Sequence, residues 1–310
     1  MSPSVLSFDR VVKRYGRTTA LDGLSFDVRR GEMFGLIGPD GAGKTTSIRL
    51  LCGLLRADSG TIRVVGRDPV KDHRAITGSV GYLSQRFSLY GDLSIDENIA
   101  FFAEIHGVFD YAARRDRLLE LTQLTRFRAR LADQLSGGMK QKLALACTLV
   151  HQPDVILLDE PTTGVDPVSR REFWKLLSGF LATGITILMS TPYLDEAERC
   201  SRVALVNQGR LLALDSPGAL RASLPGTLIE VLVPDPRAAH DRLRQAGVPA
   251  QVFGDRLHVW LTSSESSVVE SEMRALASQV GANSVRPVLA SLEDVYIARL
   301  SGAAIDEGHL

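Results

Sequence analysis

Disulfide-stapled and metal-centred folds are the first classes this sequence excludes. Its 310 residues hold three cysteines, Cys52, Cys147 and Cys200, each in an apolar or helical setting. They read as reduced core or boundary residues, not as bridges or ligands. The six histidines are scattered, with no pair at ligand spacing. Charge of one sign is missing too: 36 basic residues face 36 acidic ones, so there is no electrostatic footprint for nucleic acid or anionic lipid. No apolar run approaches the ~20 residues that span a bilayer. The opening Met-Ser-Pro-Ser-Val-Leu-Ser has no charged segment leading into an apolar one, and so shows no secretory signal. Low-complexity segments and short tandem repeats are absent. What is present, 45% apolar residues, suits a globular chain with one large core and a second small one. If such a protein works at a membrane, it must dock on transmembrane helices of another chain.

The most informative stretch is Gly38-Pro39-Asp40-Gly41-Ala42-Gly43-Lys44-Thr45-Thr46. It fits G-x-x-x-x-G-K-[ST], a loop whose amides cradle phosphates. The apolar run from Met33 to Ile37 precedes it and reads as a buried strand. Ile48, Leu51, Cys52 and Leu55 follow on one face of a helix. Glycines let the backbone wrap closely around phosphate oxygens, and the helix N-terminus adds partial positive charge. The motif assigns Lys44 to the β- and γ-phosphates and the Thr45 hydroxyl to Mg²⁺.

Further elements follow in order. Gln85 ends the apolar strand Gly81-Tyr-Leu-Ser. Leu135-Ser136-Gly137-Gly138-Met-Lys-Gln-Lys142 places a Ser-Gly-Gly turn at a helix start. It is either an anion site or an ordinary N-cap with Met139, Leu143, Ala146 and Val150 as the core face. Val155 to Leu158 is a buried strand ending in Asp159 and Glu160. There Asp159 can hold Mg²⁺ through water and Glu160 can polarise an attacking water. Gly164-Val-Asp166-Pro167 comes next.

Together these residues resemble the ATP-binding subunit of an ATP-binding-cassette (ABC) transporter, over roughly residues 3–220. Leu135–Lys142 matches the family signature, Gln85 its Q-loop, a ligand to the metal as well as to the reaction, and Asp166 its D-loop. Tyr15, in Lys13-Arg-Tyr-Gly16, matches the aromatic that stacks on adenine. The resemblance implies a P-loop NTPase fold: an antiparallel β layer, a parallel-sheet core and a helical subdomain at about 87–150. It also implies ATP and Mg²⁺ as cofactors, and ATP sandwiched between Gly38–Thr46 with Asp159 and Glu160 of one cassette and Ser136–Gly138 of another. The partners implied are an integral-membrane ABC-2-type permease and a second cassette, with no nucleic acid. The implied location is the cytoplasmic face of the inner or plasma membrane. ABC proteins of translation or DNA repair are the alternative class. They carry a second cassette, a long coiled-coil insert or a basic arm, and none is seen here. The cargo is not written in the chain.

One position departs from the family. Where a switch histidine is expected on the γ-phosphate, the segment reads Met189-Ser-Thr-Pro192-Tyr193. Proline offers no donor, and losing one transition-state donor costs roughly 10²–10³ in rate. Glu160 is retained, so a handicapped ATPase and a different, histidine-bearing partner cassette are expected.

The expected organisation is a cassette over 1–222, a small α+β domain over 223–302 and a tail over 303–310. Residues 3–35 read as antiparallel strands with turns at Gly16, Asp22-Gly23 and Gly31. Residues 155–220 alternate strand and helix, which implies a parallel sheet. Ser94-Ile-Asp-Glu97 is a capping box. Between Gln85 and Phe102, the apolar set Phe87, Leu89, Tyr90, Leu93, Ile95, Phe101 and Phe102 is expected to receive a coupling helix of the permease. Beyond 222 the order β-α-β-β-α-β suggests a ferredoxin-like domain. Daunorubicin-resistance-type export subunits carry a similar tail, with a Leu-Glu-Asp sequence like Leu292-Glu-Asp294.

Overall fold

The computed structural model describes residues 4–85, 88–261, 263 and 265–306. They divide into two compact units, residues 1–217 and 218–310.

The first unit opens with β1 (Ser4–Tyr15), β2 (Thr18–Arg29), β3 (Met33–Ile37), α1 (Lys44–Leu51), β4 (Ser59–Val64), α2 (His73–Thr77) and β5 (Val80–Leu83). Helices α3 (Ile95–Ile105), α4 (Ala112–Leu121) and α5 (Gly137–Leu149) follow. Then come β6 (Val155–Asp159), α6 (Pro167–Ala182), β7 (Thr186–Thr191), α7 (Leu194–Ala197), β8 (Arg202–Asn207) and β9 (Arg210–Asp215).

Two sheets form. One is antiparallel, in the order β2-β1-β4. The other runs β5-β6-β7-β3-β8-β9, parallel except for β9. Strands β3, β6 and β7 are buried along their whole length. Their centres are apolar because both faces of the parallel sheet are covered, by helices and by the antiparallel layer. Their C-terminal ends carry Gly38, Asp159 and Thr191, so the order of the central strands brings the phosphate loop and the acidic pair together. The antiparallel layer packs on this sheet through Phe8, Phe26 and Phe34, whose rings stack at 4.6 and 5.5 Å.

The expected sheets need three corrections. Asp22-Gly23 is not a turn between strands: β2 runs through it, with register shifts against β1 at this level. Here β2 takes three steps, Leu24 to Leu21, against two on β1, and one extra residue bends a strand without ending it. The third strand of the layer is β4, from beyond α1, while residues 33–35 belong to the parallel sheet. The edge strand β9 pairs antiparallel and was not expected.

Helix starts follow local chemistry. Ser94 accepts the Glu97 amide and the Glu97 carboxylate accepts the Ser94 amide, the reciprocal pair of a capping box. Asp166 accepts the amides of Val168 and Ser169, with Pro167 at the first helical position of α6. The three cysteines are free and buried, and burial pushes the Cys52 and Cys200 thiols up to about 12. No helix among the described residues is long and apolar enough to cross a membrane.

The second unit contains α8 (Pro217–Ala222) at its start, then β10 (Thr227–Leu232), α9 (Pro236–Gln245), β11 (Ala250–Phe253), β12 (Arg256–Leu261), α10 (Ser266–Val280), β13 (Ser284–Pro287) and α11 (Leu292–Asp306). Its sheet order is β11-β12-β10-β13, antiparallel throughout. One face holds a core of Ile229, Val231, Leu243, Leu257 and Val259. Asp294 in the Leu-Glu-Asp sequence is buried. It accepts from the Ser291 amide and hydroxyl and lies 2.7 Å from His258 Nδ1.

Candidate functional site: a phosphate-loop cleft

A cleft of about 450 Å³ opens at the C-terminal ends of β3 and β6. Tyr15, Asp40, Gly41, Gly43, Lys44, Thr45, Thr46, Gln85 and Glu160 all line it. Ten of the expected residues, Gly38 to Thr46 and Glu160, come from the loop between β3 and α1, the first turn of α1 and the residue after β6. Gly43 caps α1 with φ of +98°, and a side chain there would meet the Ala20 carbonyl at 2.6 Å. At Gly38 a Cβ would collide with the Val206 carbonyl. Both positions require glycine, one for conformation and one for space.

The ionisable groups are tightly interlocked. Lys44 is buried, donates to the carbonyls of Gly38 and Pro39 at 2.9 and 3.0 Å, and lies 3.1 Å from Glu160 Oε1. Gln85 Nε2 donates to Glu160 Oε2 at 3.2 Å. Glu160 sits at φ of +49°. A non-glycine residue in the left-handed region costs free energy and is retained where the surroundings dictate it. Here the Glu160 amide donates to the Ser190 hydroxyl at 3.1 Å. Asp159 Oδ1 accepts from Thr45 at 3.0 Å and from Ser190 at 2.7 Å. Burial raises the Asp159 pKa above its ordinary value, against the lowering by those two hydroxyls.

The remaining expected residues lie around this centre. Tyr15 is 46% exposed at the cleft mouth, with the Lys13 ammonium 5.6 Å from its ring centre. Ser136 is the N-cap of α5 and accepts the Met139 amide. Ser136, Gly137 and Gly138 do not line the cleft. Pro192 follows Thr191 at the end of β7, and the Tyr193 amide donates to the Thr191 hydroxyl at 3.1 Å. Phe87 lies outside the described residues. Of the apolar set around it, Ile95 is fully buried in the core, while Tyr90 is 46% exposed and packs edge-on against Phe101 at 4.5 Å.

Three buried polar residues went unread in the sequence. Glu196 is 1% exposed and accepts the hydroxyls of Thr162 at 2.6 Å and Thr191 at 2.8 Å, with Arg170 Nε at 3.6 Å. It thereby ties the segment after Glu160, the end of β7 and α6. Asn98 donates to the carbonyls of Tyr90, Leu93 and Ser94 and accepts the Tyr90 amide, latching the loop after Gln85 onto α3. Gln141, on α5, donates to the Pro161 carbonyl. The only signal was a polar side chain on an apolar helix face.

A glycine-rich loop between a buried strand and a helix, a lysine inside it, and a strand-end Asp-Glu pair define a P-loop nucleotide-binding cassette. The ABC transporter family profile matches residues 21–163. The chain is 40% identical over 319 residues to a probable multidrug ABC transporter ATP-binding protein, YbhF, of Escherichia coli K12. That alignment takes in 100% of this chain and 54% of that protein, so the chain spans about half of it. It is 39% identical to Nod factor export ATP-binding protein I of Paraburkholderia xenovorans, over 99% of this chain and 100% of that protein. A solved ATP binding subunit of an ABC transporter superposes with a TM-score of 0.65 at 29% identity, over 71% of this chain and 92% of that one. The cbiO1 protein of Clostridium perfringens, part of the ABC transporter complex cbiONQ, also gives 0.65, at 28% identity over 71% and 91%. The chain belongs to the ATP-binding subunits of ABC transporters.

Proposed function

We propose that this chain is the ATP-hydrolysing motor subunit of an exporter, driving efflux through a separate ABC-2-type permease. The observation that carries the reading is the convergence of Lys44, Thr45, Glu160 and Gln85 on one cleft that also contains Tyr15, with the buried Asp159 bonded to Thr45. Export is favoured over import by the relatives whose names specify multidrug transport and Nod factor export.

The roles follow from the chemistry. Amides of residues 40–46 bind phosphate oxygens, Lys44 supplies the positive charge, and Tyr15 offers a face to adenine. Glu160 accepts a proton from the attacking water, and Gln85, already on its carboxylate, reports the state of the site. Mg²⁺ fits the donors present: a threonine hydroxyl 3.0 Å from a buried carboxylate whose ionisation burial disfavours, with Gln85 within reach of the same cluster. Thr45, Asp159 and Gln85 would hold it. Among the described residues no group of three or more His, Cys, Asp or Glu could bind a metal by itself, so the remaining ligands would come from phosphate. The ion supplies neutralisation of phosphate charge.

Ser136, Gly137 and Gly138 are assigned to the phosphates of a second cassette, which fits their position away from this cleft. That second cassette is a different subunit, because Pro192 leaves this one without its switch donor. The permease docks beside the loop latched by Asn98, where Tyr90 is 46% exposed. Such assembly places the chain on the cytoplasmic face of the membrane. The cassette ends with the first compact unit at residue 217, five residues before the expected boundary at 222, and residues 223–302, which follow α8, form a ferredoxin-like accessory domain. The element order and the β11-β12-β10-β13 sheet support that assignment.

Calorimetry with Mg-ATP tests the core of this reading. Binding should be saturable in the wild type and strongly weakened in Lys44→Ala. An unchanged affinity in the variant would remove the phosphate assignment.

A further inference from the structure

The phosphate-loop cleft is smaller than another concavity of the first unit, a groove of about 650 Å³. The groove lies at the opposite end of the parallel sheet, where Pro153 leads into β6 and Ile185 into β7. Helices α4 and α6 form its walls. Leu118, Leu149 and Phe180 lie at its base, each 7% exposed or less, and Leu121 at its edge is 45% exposed. Three cations from two helices line it: Arg114 and Arg117 from α4, and Lys175 from α6. No Asp or Glu is among the lining residues.

Most of the carboxylates closest in sequence are engaged elsewhere. Asp116 pairs with Arg115 and Arg128, and Glu172 with Lys142. Glu120 lies on α4 but outside the lining. Arg114 gives a guanidinium nitrogen to the Val150 carbonyl at the end of α5. Arg117 and Lys175 have no hydrogen-bond or ion-pair partner among the described residues. The groove therefore combines an apolar base with two uncompensated cations facing it from different helices.

We propose that this groove binds a single-chain amphiphilic anion, with its alkyl chain along Leu118, Leu149 and Phe180 and its carboxylate or phosphate head between Arg117 and Lys175. The volume lies within the range of small-molecule sites, about 300–1,000 Å³, and the lining has their usual makeup of apolar walls with few placed polar groups. The small exposure of the base admits a thin chain more readily than the face of a helix. An anionic head finds two cations and no carboxylate among the lining residues, and is therefore favoured over a neutral head. Because the groove is remote from Lys44 and Glu160, this site does not depend on the nucleotide reading.

The test uses the full chain and sodium dodecanoate below its micellar concentration, followed by calorimetry. Saturable one-to-one binding is expected. Shortening the chain to decanoate and octanoate should weaken it about fourfold for each methylene removed. The exposed double variant Arg117→Glu/Lys175→Glu should lose at least about tenfold in affinity at unchanged thermal stability, the scale of one charge-assisted contact. Decanol should bind about tenfold more weakly than decanoate. Dodecyl phosphate competing with dodecanoate for one site would show that either head group serves. Non-saturable uptake overturns the proposal, as does a double variant that binds like wild type, or decanol matching decanoate. Binding of an acidic amphipathic peptide without any alkanoate binding overturns it too.

Discussion

Lys44 and Glu160 form a buried ion pair, 3.1 Å from Nζ to Oε1. The lysine that is to hold phosphate is thus engaged by the carboxylate that is to accept a proton. A phosphate that draws Lys44 away exposes a basic oxygen on Glu160 at the same moment, so substrate binding and activation of the base are one event. Glu160→Gln weakens the hold on Lys44 and removes the base. ATP affinity should rise several-fold while hydrolysis by the assembled complex falls by at least about 10²-fold. Wild-type turnover in that variant would show that another group takes the proton.

Asp159 makes a prediction of opposite sign for stability and function. Its pKa is raised by burial, so its charged form is disfavoured in the folded state. It contributes most favourably below its unfolded pKa, and that contribution is lost as pH rises through the folded value. Asp159→Asn keeps an acceptor for Thr45 and Ser190 without the charge. Its melting temperature at pH 7 should exceed wild type, with the gain disappearing in acid, while the Mg²⁺ dependence of ATP binding is lost. A lower melting temperature at pH 7 would contradict the argument.

His151 should make the fold acid-sensitive. It stacks on His106 at 3.8 Å, contacts the Val80 carbonyl through Nε2 at 3.2 Å, and is pushed down to about 4 by burial, with the neighbouring His106 adding to the shift. A depressed histidine contributes stability that is complete above its unfolded pKa, near 6.5, and lost as pH falls towards 4. His151→Gln should flatten the fall in melting temperature between pH 7 and pH 5. An equally steep fall would place the acid-sensitive group elsewhere.

Pro192 sets the expected rate. The purified chain should hydrolyse ATP slowly, and Pro192→His should accelerate it by on the order of tenfold or more, since a transition-state donor is restored. If the wild type already turns over several times per second and the variant matches it, the chain needs no unlike partner cassette.

Most short-range chemistry was legible in the sequence and long-range chemistry was not. Gly38–Thr46, the Ser94–Glu97 box and the Asp159–Glu160 strand end are each set by neighbours along the chain, and each lies where the pattern put it. The β1–β4 pairing joins residues tens of positions apart, Leu6 with Val64 for one, and no periodicity reports it, whereas β9 folds back on β8 through a tight turn at Gln208-Gly209, a local signal that was passed over. Asp22-Gly23 has turn composition, yet β1 supplies a ladder on both sides and carries the strand through. Glu196 shows why a buried carboxylate is hard to foresee: its partners Thr162, Thr191 and Arg170 come from three separate segments.

The Ser136 hydroxyl accepts the Met139 amide, which leaves its own proton to donate. A hydroxyl can serve both directions at once. An anion arriving from a neighbouring subunit would therefore add a bond at this helix end without displacing one, and α5 would not have to rewind when two cassettes meet. Ser136→Ala would remove both bonds, so fraying of α5 in the lone protein would come before any defect in pairing, and hydrogen exchange at Met139 would register it.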